Sequence, residues 1–486
     1  MMSSCSSANF AASNLWKALF ILGLALYFIS IFVPNRNPTC QSSYNLFSYF
    51  KKEPSSLISP NEAKFDGSPT KLNHVVFGLL GSEGAWHHRK AYIESWWKPN
   101  ITRGFLFLDK PPTGELLPWS TASPPYKVSD DLTTFLNETK AAVPIMIRMV
   151  HGLMEVLREV ERQGDHGEIR WLMMGDDDSI FFMENIVDVL GEHDHTRYHY
   201  LGGQSEFIMS NFWFSFNQGF GGAGIIMSYP LAKALVKDMD SCLRRYAQMN
   251  SADLITMSCI ADVGVDFSPH KGIHQIDLTG DLSGFLSYHP KTPLMSLHHF
   301  DNVEPIFPSK DRFESTRHLM KAAEADQSRL LQQTICYDRK IEWTFSISWG
   351  YSAHIYERIM SRSYIRKPIE TFTIWVGEPR PPPQYMFNTR LPSSDPCEAP
   401  HVFFLQEVNK SSLGTVTVYS SAGPRGIGTC GSPPERSASF VTEIHVLSPA
   451  MKRTKMDRSE CCDIVGVEGT RVELKYRECE VDEIFA

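Results

Sequence analysis

Positive charge in excess, paired CxxC motifs and internal repetition are all missing from this 486-residue sequence. Lys and Arg total 47 against 55 Asp and Glu, a net charge of -8, which gives no support to a nucleic-acid partner. The ten cysteines form no CxxC pair of pairs, which argues against a zinc site. No repeat or long low-complexity tract is visible, and the composition is that of a globular chain long enough for more than one core.

What is present begins with one long apolar run, "LWKALFILGLALYFISIFV", Leu15 to Val33, with Lys17 its only charge. At helical rise such a run just crosses a bilayer core of about 30 Å. Its length, and the absence of a small-x-small cleavage site before Pro34, favour an uncleaved signal-anchor over a cleaved signal peptide. Arg36, Lys51 and Lys52 lie beyond the run, and taken alone that bias favours the opposite topology. The body reads as luminal on other grounds. Nine cysteines follow the run, some of them expected in disulfides, and Asn100, Asn137 and Asn409 open glycosylation sequons. The expected organisation is a cytoplasmic tail over 1–14, a transmembrane segment over 15–33 and a Ser/Pro/Asn/Lys-rich stem over 34–72. An α/β domain over 73–310 and a mainly β region over 311–486 follow.

Within the α/β part, strand and helix patterns alternate. "HVVFGLLGS", "RGFLFLD" and "EIRWLMMG" read as buried strands. "GAWHHRKAYIESWW", "VPIMIRMVHGLMEVLREVERQ" and "MENIVDVL" read as helices, the second with Ile145, Met149, Leu153, Val156, Leu157 and Val160 on one side. That order predicts a mostly parallel sheet covered by helices, with ligands beyond the carboxyl ends of the strands. Asp176, Asp177 and Asp178 stand at such an end. Three adjacent like charges are unfavourable to bury without a cation, and a hard divalent ion with a phosphorylated ligand is their natural company. A solvated acidic turn is the bland alternative. The Gly-rich "GFGGAG", Gly219 to Gly224, lacks the Lys-Ser/Thr of a P-loop but lets backbone approach a ligand. "SLHHFD" offers His298 and His299 as a late metal ligand, and "NSADLIT" places one isolated acid, Asp253, ahead of an apolar helix, where a helix cap is the bland alternative.

In this order the motifs resemble the Fringe-type, family 31, inverting glycosyltransferases. More narrowly they resemble the plant branch known as a domain of unknown function related to Fringe. The segments that carry the resemblance include "RWLMMGDDDSIFFMENIVDVL", "YHYLGG", "GGAGIIMS", "GIHQIDLTGDLSGFLSYHP" and "LMSLHHFDNVEPIFP", with "QQTICYDRKIEWTFSISWGYS" and "ECCDIVGV" in the tail. The resemblance implies a GT-A fold binding a UDP-sugar with Mn²⁺. It implies Asp178 as metal ligand, with His299 as the late histidine ligand and His298 as the fallback. Asp176 and Asp177 would contact the nucleotide, Gly221, Gly222, Ala223 and Gly224 would line the donor and acceptor pocket, and Asp253 would be the catalytic base. Fringe has two acids where this chain has Ala252-Asp253, and the stretch from Asp253 to His299 is longer here. Cys242 and Cys259 flank the Asp253 region, where a bridge would hold it rigid.

The implied activity is transfer of Gal or GlcNAc from a UDP donor, in a β1,3 linkage, to a glycan or glycoprotein by a type II Golgi membrane enzyme. The rivals are a non-catalytic glycan-binding or scaffold protein on the same fold, with the β-rich tail as its binding surface, and a metal-dependent phosphohydrolase. The latter would want further carboxylates on a second metal.

Overall fold

The computed structural model describes residues 67–162, 168–377, 382–431, 437–454 and 457–484. The tail, the apolar run and the stem as far as residue 66 lie outside the described residues. Among the described residues no helix is long and apolar enough to cross a membrane.

Parallel pairing builds the first part. Strands β1 (Val75–Leu80), β2 (Arg103–Leu108), β3 (Tyr126–Val128) and β4 (Trp171–Asp176) run parallel in the order β3-β2-β1-β4. Beyond β4 the direction reverses. β7 (Ile225–Ser228) is antiparallel to β4 and to β6 (Tyr200–Gly202), and β8 (Ser268–Pro269) closes the seven-stranded sheet. Helices intervene: α1 (Glu83–Glu94), α2 (Thr133–Thr139), α3 (Pro144–Arg162), α4 (Met183–Gly191), α5 (Ile208–Trp213), α6 (Tyr229–Tyr246) and α7 (Ala252–Asp262).

The two-residue period of a strand explains how the central strands are buried on both faces. Val76, Leu172 and Met174 pack with α3, α6 and α7 in one cluster. Val75, Phe77, Leu79, Trp171 and Met173 pack on the other face, with Trp86 of α1 and Ile186 of α4. Gly78 of β1 has no room for a side chain, because a Cβ there would lie 2.5 Å from Val156 of α3. Helix α3 follows its apolar stripe with one difference: Ile145 is exposed, and Ile147 and Val150 enter the core in its place. One turn in, the stripe has rotated away from Ile145.

The C-terminal part is an eight-stranded sheet ordered β12-β13-β14-β16-β17-β18-β20-β19. Its strands are β12 (Gln333–Asp338), β13 (Trp343–Ser348), β14 (Ser352–Tyr356), β16 (His401–Ser411), β17 (Gly414–Ser421), β18 (Glu443–Ser448), β19 (Cys461–Glu468) and β20 (Arg471–Arg477). All neighbours are antiparallel except β18 and β20. Thus a mixed α/β body with a parallel sheet core and a mainly β C-terminal region are both present. Helix α8 (Arg312–Ala325) precedes this sheet and is started by a capping box: Glu314 N–H donates to Asp311 Oδ1 at 2.7 Å, and Asp311 N–H to Glu314 Oε2 at 3.1 Å.

Residues 63–486 cluster as one compact unit. The core that covers one face of the parallel sheet runs on through Trp343, Trp349, Tyr351 and Tyr419 of the β-rich part without a break. Disulfides join Cys242 to Cys259, Cys336 to Cys462, Cys397 to Cys430 and Cys461 to Cys479. The first links α6 to α7. Cys40, the ninth cysteine beyond the apolar run, lies outside the described residues. Asn100, Asn137 and Asn409 are all exposed.

A shared core predicts shared unfolding. Trp349 is fully buried and its Nε1–H reaches Ser448 Oγ at 3.2 Å. Trp349→Ala should cost about 3–5 kcal/mol and lower a single melting transition detected by both near- and far-UV circular dichroism. Two separated transitions, with only one of them moved, would contradict a common core.

Candidate functional site

The acidic run sits where the parallel strands end. Asp176 is the last residue of β4 and pairs in register with Leu80, the last of β1. Here β4 turns sharply. The Asp176 N–H donates to Ser179 Oγ at 2.8 Å, and that hydroxyl donates to Gly222 O at 2.6 Å, tying the turn to the glycine loop. The chain then enters β5 (Ile180–Phe181).

A two-residue ladder brings the late histidines to this point. β11 (Ser296–Leu297) pairs antiparallel with β5, Ser296 opposite Phe181 and Leu297 opposite Ile180, and parallel with β9 (Ile273–His274). The residue after β11 therefore arrives beside the residue before β5. His298 Nε2 lies 3.1 Å from Asp178 Oδ1 and 3.8 Å from Asp176 Oδ2, although 120 residues separate His298 from Asp178. Asp176, Asp178 and His298 converge closely enough to hold one ion.

His299 takes a different partner. It adopts a left-handed backbone with φ 63°, which turns the chain out of β11 into the short helix Phe300–Asn302. Its Nδ1 lies 3.1 Å from Asp277 Oδ1, and its ring stacks on Trp375 at 4.5 Å. The order of the two histidines is thus the reverse of the expectation: His298 closes the cluster, and His299 forms its wall. The three aspartates also divide. Asp177 faces away from His298, accepting from Arg89 Nη1 at 2.8 Å and from the Ser82 N–H at 3.4 Å. Gly81 makes room for it, since a Cβ there would stand 2.7 Å from Asp177 Oδ2.

The charges are balanced by two cations that come from far apart in the chain. Arg89 of α1 bonds Asp177 and Asp301 and approaches Asp178 Oδ2 to 3.5 Å. Tyr92, one turn later, donates to Asp301 Oδ1 at 2.9 Å. Burial works against the Asp178 anion, yet His298 and Arg89 outweigh it and hold the carboxyl well below its usual range. Burial pushes Asp176 up to about 7, with the neighbouring carboxylates adding to the push and His298 opposing it. His298 is raised to about 9, because Asp178 and Asp176 overcome the burial that would discharge it. Neither Arg89, Asp301, Asp277 nor Trp375 stood out in the sequence, for each acts through a partner distant along the chain.

The glycine loop joins this cluster to Asp253. Gly222 sits against the His298 ring, where a Cβ would be 2.1 Å from Cε1. The Gly221 N–H donates to Asp253 Oδ1 at 2.9 Å, the Ala223 N–H donates to Gln275 Oε1 at 3.1 Å, and Gly224 takes φ 108°. Asp253 is in the first turn of α7 but does not cap it. Ser251 is the cap, its hydroxyl accepting from the Leu254 N–H at 3.4 Å. The Asp253 carboxyl is half-buried, and burial raises it to about 6 despite the Gly221 bond. Asp176, Gly221 and Asp253 line one narrow, mostly apolar cavity with Met174 and Thr256. The Cys242–Cys259 bridge anchors the helix that carries Asp253.

The cluster fits a divalent cation. Asp178 Oδ2 and His298 Nδ1 are buried and take no hydrogen bond, and a carboxylate–imidazole donor set suits an ion such as Mn²⁺.

Fold and site together define an α/β protein with an acid–histidine cluster at the carboxyl end of a parallel sheet. Residues 210–462 match the family described as "Protein of unknown function, DUF604". The match takes in more than half of the chain, and the chain belongs to that family. It includes the glycine loop, Asp253, both histidines and Trp375, and begins after Asp176–Asp178. No curated protein matches the chain.

A metal ion held here would have to compete with protons. Without an ion His298 stays charged up to about pH 9 and Asp176 is part-protonated near pH 7. A cation takes the deprotonated forms, so its affinity should rise from pH 6 to pH 8 with release of about one proton or more per ion. Mn²⁺ calorimetry in buffers of different ionisation enthalpy reads this directly. Binding without proton release at pH 7 would contradict the assignment of His298.

Proposed function

We propose that this protein is a metal-dependent, inverting glycosyltransferase of GT-A type. It moves a hexose, Gal or GlcNAc, from a UDP-sugar to a hydroxyl of a glycan or glycoprotein, in a β1,3 linkage. The observation that carries the reading is the meeting of two chemistries across one glycine loop: the Asp176–Asp178–His298 cluster on one side and Asp253 on the other. Membership of the DUF604 family agrees with the likeness of the motifs to the plant Fringe-related branch.

Asp178 and His298, with Asp176, would hold Mn²⁺. When bound, the ion would neutralise the donor diphosphate and stabilise UDP as a leaving group. Gly221 and Gly222, bare of side chains, let the loop that joins the cluster to Asp253 pass close to the donor sugar. Asp253 takes the proton from the acceptor hydroxyl as its oxygen bonds the anomeric carbon and the bond to the diphosphate oxygen breaks. A carboxyl raised to about 6 is near the optimum for a base at neutral pH. One displacement inverts the anomeric centre, so a single acid is enough. The apolar run at Leu15 to Val33 supports a type II Golgi membrane placement with the body in the lumen.

The test uses the full chain with UDP-Gal and UDP-GlcNAc, with and without Mn²⁺. Asp178→Ala should abolish Mn-dependent donor binding. Asp253→Asn should keep donor binding and lose transfer by a factor of about 10²–10⁴. Normal turnover by Asp253→Asn would refute the base. Absence of donor binding in the folded wild-type chain would turn the reading to a glycan-binding protein on a GT-A scaffold.

A further inference from the structure

A second, larger cavity lies between the α/β part and the stretches 363–368 and 386–388, with a volume of about 510 Å³, within the range of ligand sites. None of its lining residues lines the cavity that holds Asp176 and Asp253. Its walls are aromatic, from Phe285, Tyr288 and Phe387, and its rim carries Lys271, Arg366 and Lys367. None of these three cations has an ion-pair partner among the described residues. The positive field extends further. Lys291 is pushed down by burial, then by Arg453 and Arg366 against the pull of Asp457, and Arg362 by burial, then by Arg366 and Arg458 against Tyr337. In a chain of net charge -8, Lys271, Arg366 and Lys367 thus stand around one pocket with no ion-pair partner among the described residues.

The floor is polar but neutral. His274 Nδ1 lies 2.7 Å from Glu206 Oε1, and His274 Nε2 lies 2.8 Å from His289 Nε2. His289 Nδ1 lies 2.7 Å from Pro290 O, a pure acceptor, so this nitrogen carries the proton and a neutral His289 accepts at Nε2. His274 must then donate from Nε2, and one further proton is shared between its Nδ1 and Glu206. Whichever atom holds it, Glu206 and His274 together carry no net charge. The one acid in the lining is therefore silenced, and the three rim cations set the sign of the pocket.

A line of aromatic residues joins it to the surface through the core, with Phe207 and Tyr385 buried in the middle. Phe212 and Trp213 are 68% and 48% exposed, unusual for a pair of such residues. The Trp213 ring meets Phe207 edge-on at 5.8 Å, Phe207 is bridged to Tyr385, and Tyr385 stacks on Phe387 at 5.8 Å. Sugar rings present C–H faces that pack on aromatic faces, and acidic sugars add an anion for lysine and arginine.

We propose that this cavity binds an acidic saccharide, a glycan bearing carboxylate or sulfate groups, its acid held by Lys271, Arg366 and Lys367 and a ring face on Phe387. The inference concerns binding and stands apart from the transferase reading.

The experiment titrates the full chain with three probes: an oligogalacturonate, a heparin-derived sulfated oligosaccharide and a neutral galacto-oligosaccharide. Binding is read by calorimetry at low and physiological salt. Acidic probes should bind, the neutral one should not, and added salt should weaken binding. Whichever acidic probe binds more tightly names the acid. Arg366→Ala/Lys367→Ala and, separately, Phe387→Ala should each weaken binding about tenfold or more, with an unchanged circular dichroism spectrum and melting profile as the sign of an intact fold. Asp178→Ala should leave saccharide binding intact, so a failed donor site does not disturb this result. Equal affinity for neutral and acidic probes, undiminished binding by the double variant, or no binding of either acidic probe would overturn the proposal.

Discussion

Buried negative charge at the end of β4 is the constraint on which the rest of this structure depends. Asp177 and Asp178 are almost wholly buried and Asp176 adjoins them. Two unit charges 4 Å apart interact by about 4 kcal/mol at an effective dielectric of 20, so three adjacent carboxylates need cations. The chain supplies Arg89 from α1 and His298 from beyond β11. Losing one member of so buried a pair as His298 and Asp178 costs about 3–5 kcal/mol. The placement of α1, the β5–β11 ladder and the glycine at position 222 all follow from bringing those two cations in. In the same act they create the arrangement into which a metal and a diphosphate would fit.

The β-rich part is not an appendage to this arrangement. Its strands complete the hydrophobic core over one face of the parallel sheet. The short strand β15 (Phe372–Ile374) pairs with β10 (Leu278–Gly280), and the next residue, Trp375, stacks on His299. Through Asp277, which His299 and Ser205 both contact, the wall of the acidic cluster is continuous with the loop that carries Glu206. A single framework thus supports both the cluster and the cavity with the basic rim.

Local pattern made much of this legible. Buried runs such as "VVFGLL" and "RGFLFL", alternating with helical stretches, announce a parallel sheet, and the acids at the end of "RWLMMGD" mark the carboxyl end of β4. Where the sequence misled, long-range geometry decided. Nothing local tells adjacent histidines apart: a two-residue ladder and one left-handed residue direct His298 to Asp178 and His299 to Asp277. Arg89 looks like any helix-surface arginine until Asp177 and Asp301 surround it. The reversal at β7 was equally hidden, because a short apolar run reads the same in either direction. Helix α8 did have a local sign, the Asp311–Glu314 capping box, set within a stretch dominated by strand-like texture.

The central claim is that His298, with Asp178 and Asp176, holds one divalent ion. Pulsed electron paramagnetic resonance of Mn²⁺ bound to the full chain with UDP, with and without ¹⁵N-labelled histidine, tests it most directly. The account predicts coupling to one histidine nitrogen, lost in His298→Ala and retained in His299→Ala. A spectrum with no histidine coupling, or one abolished only by His299→Ala, would contradict it.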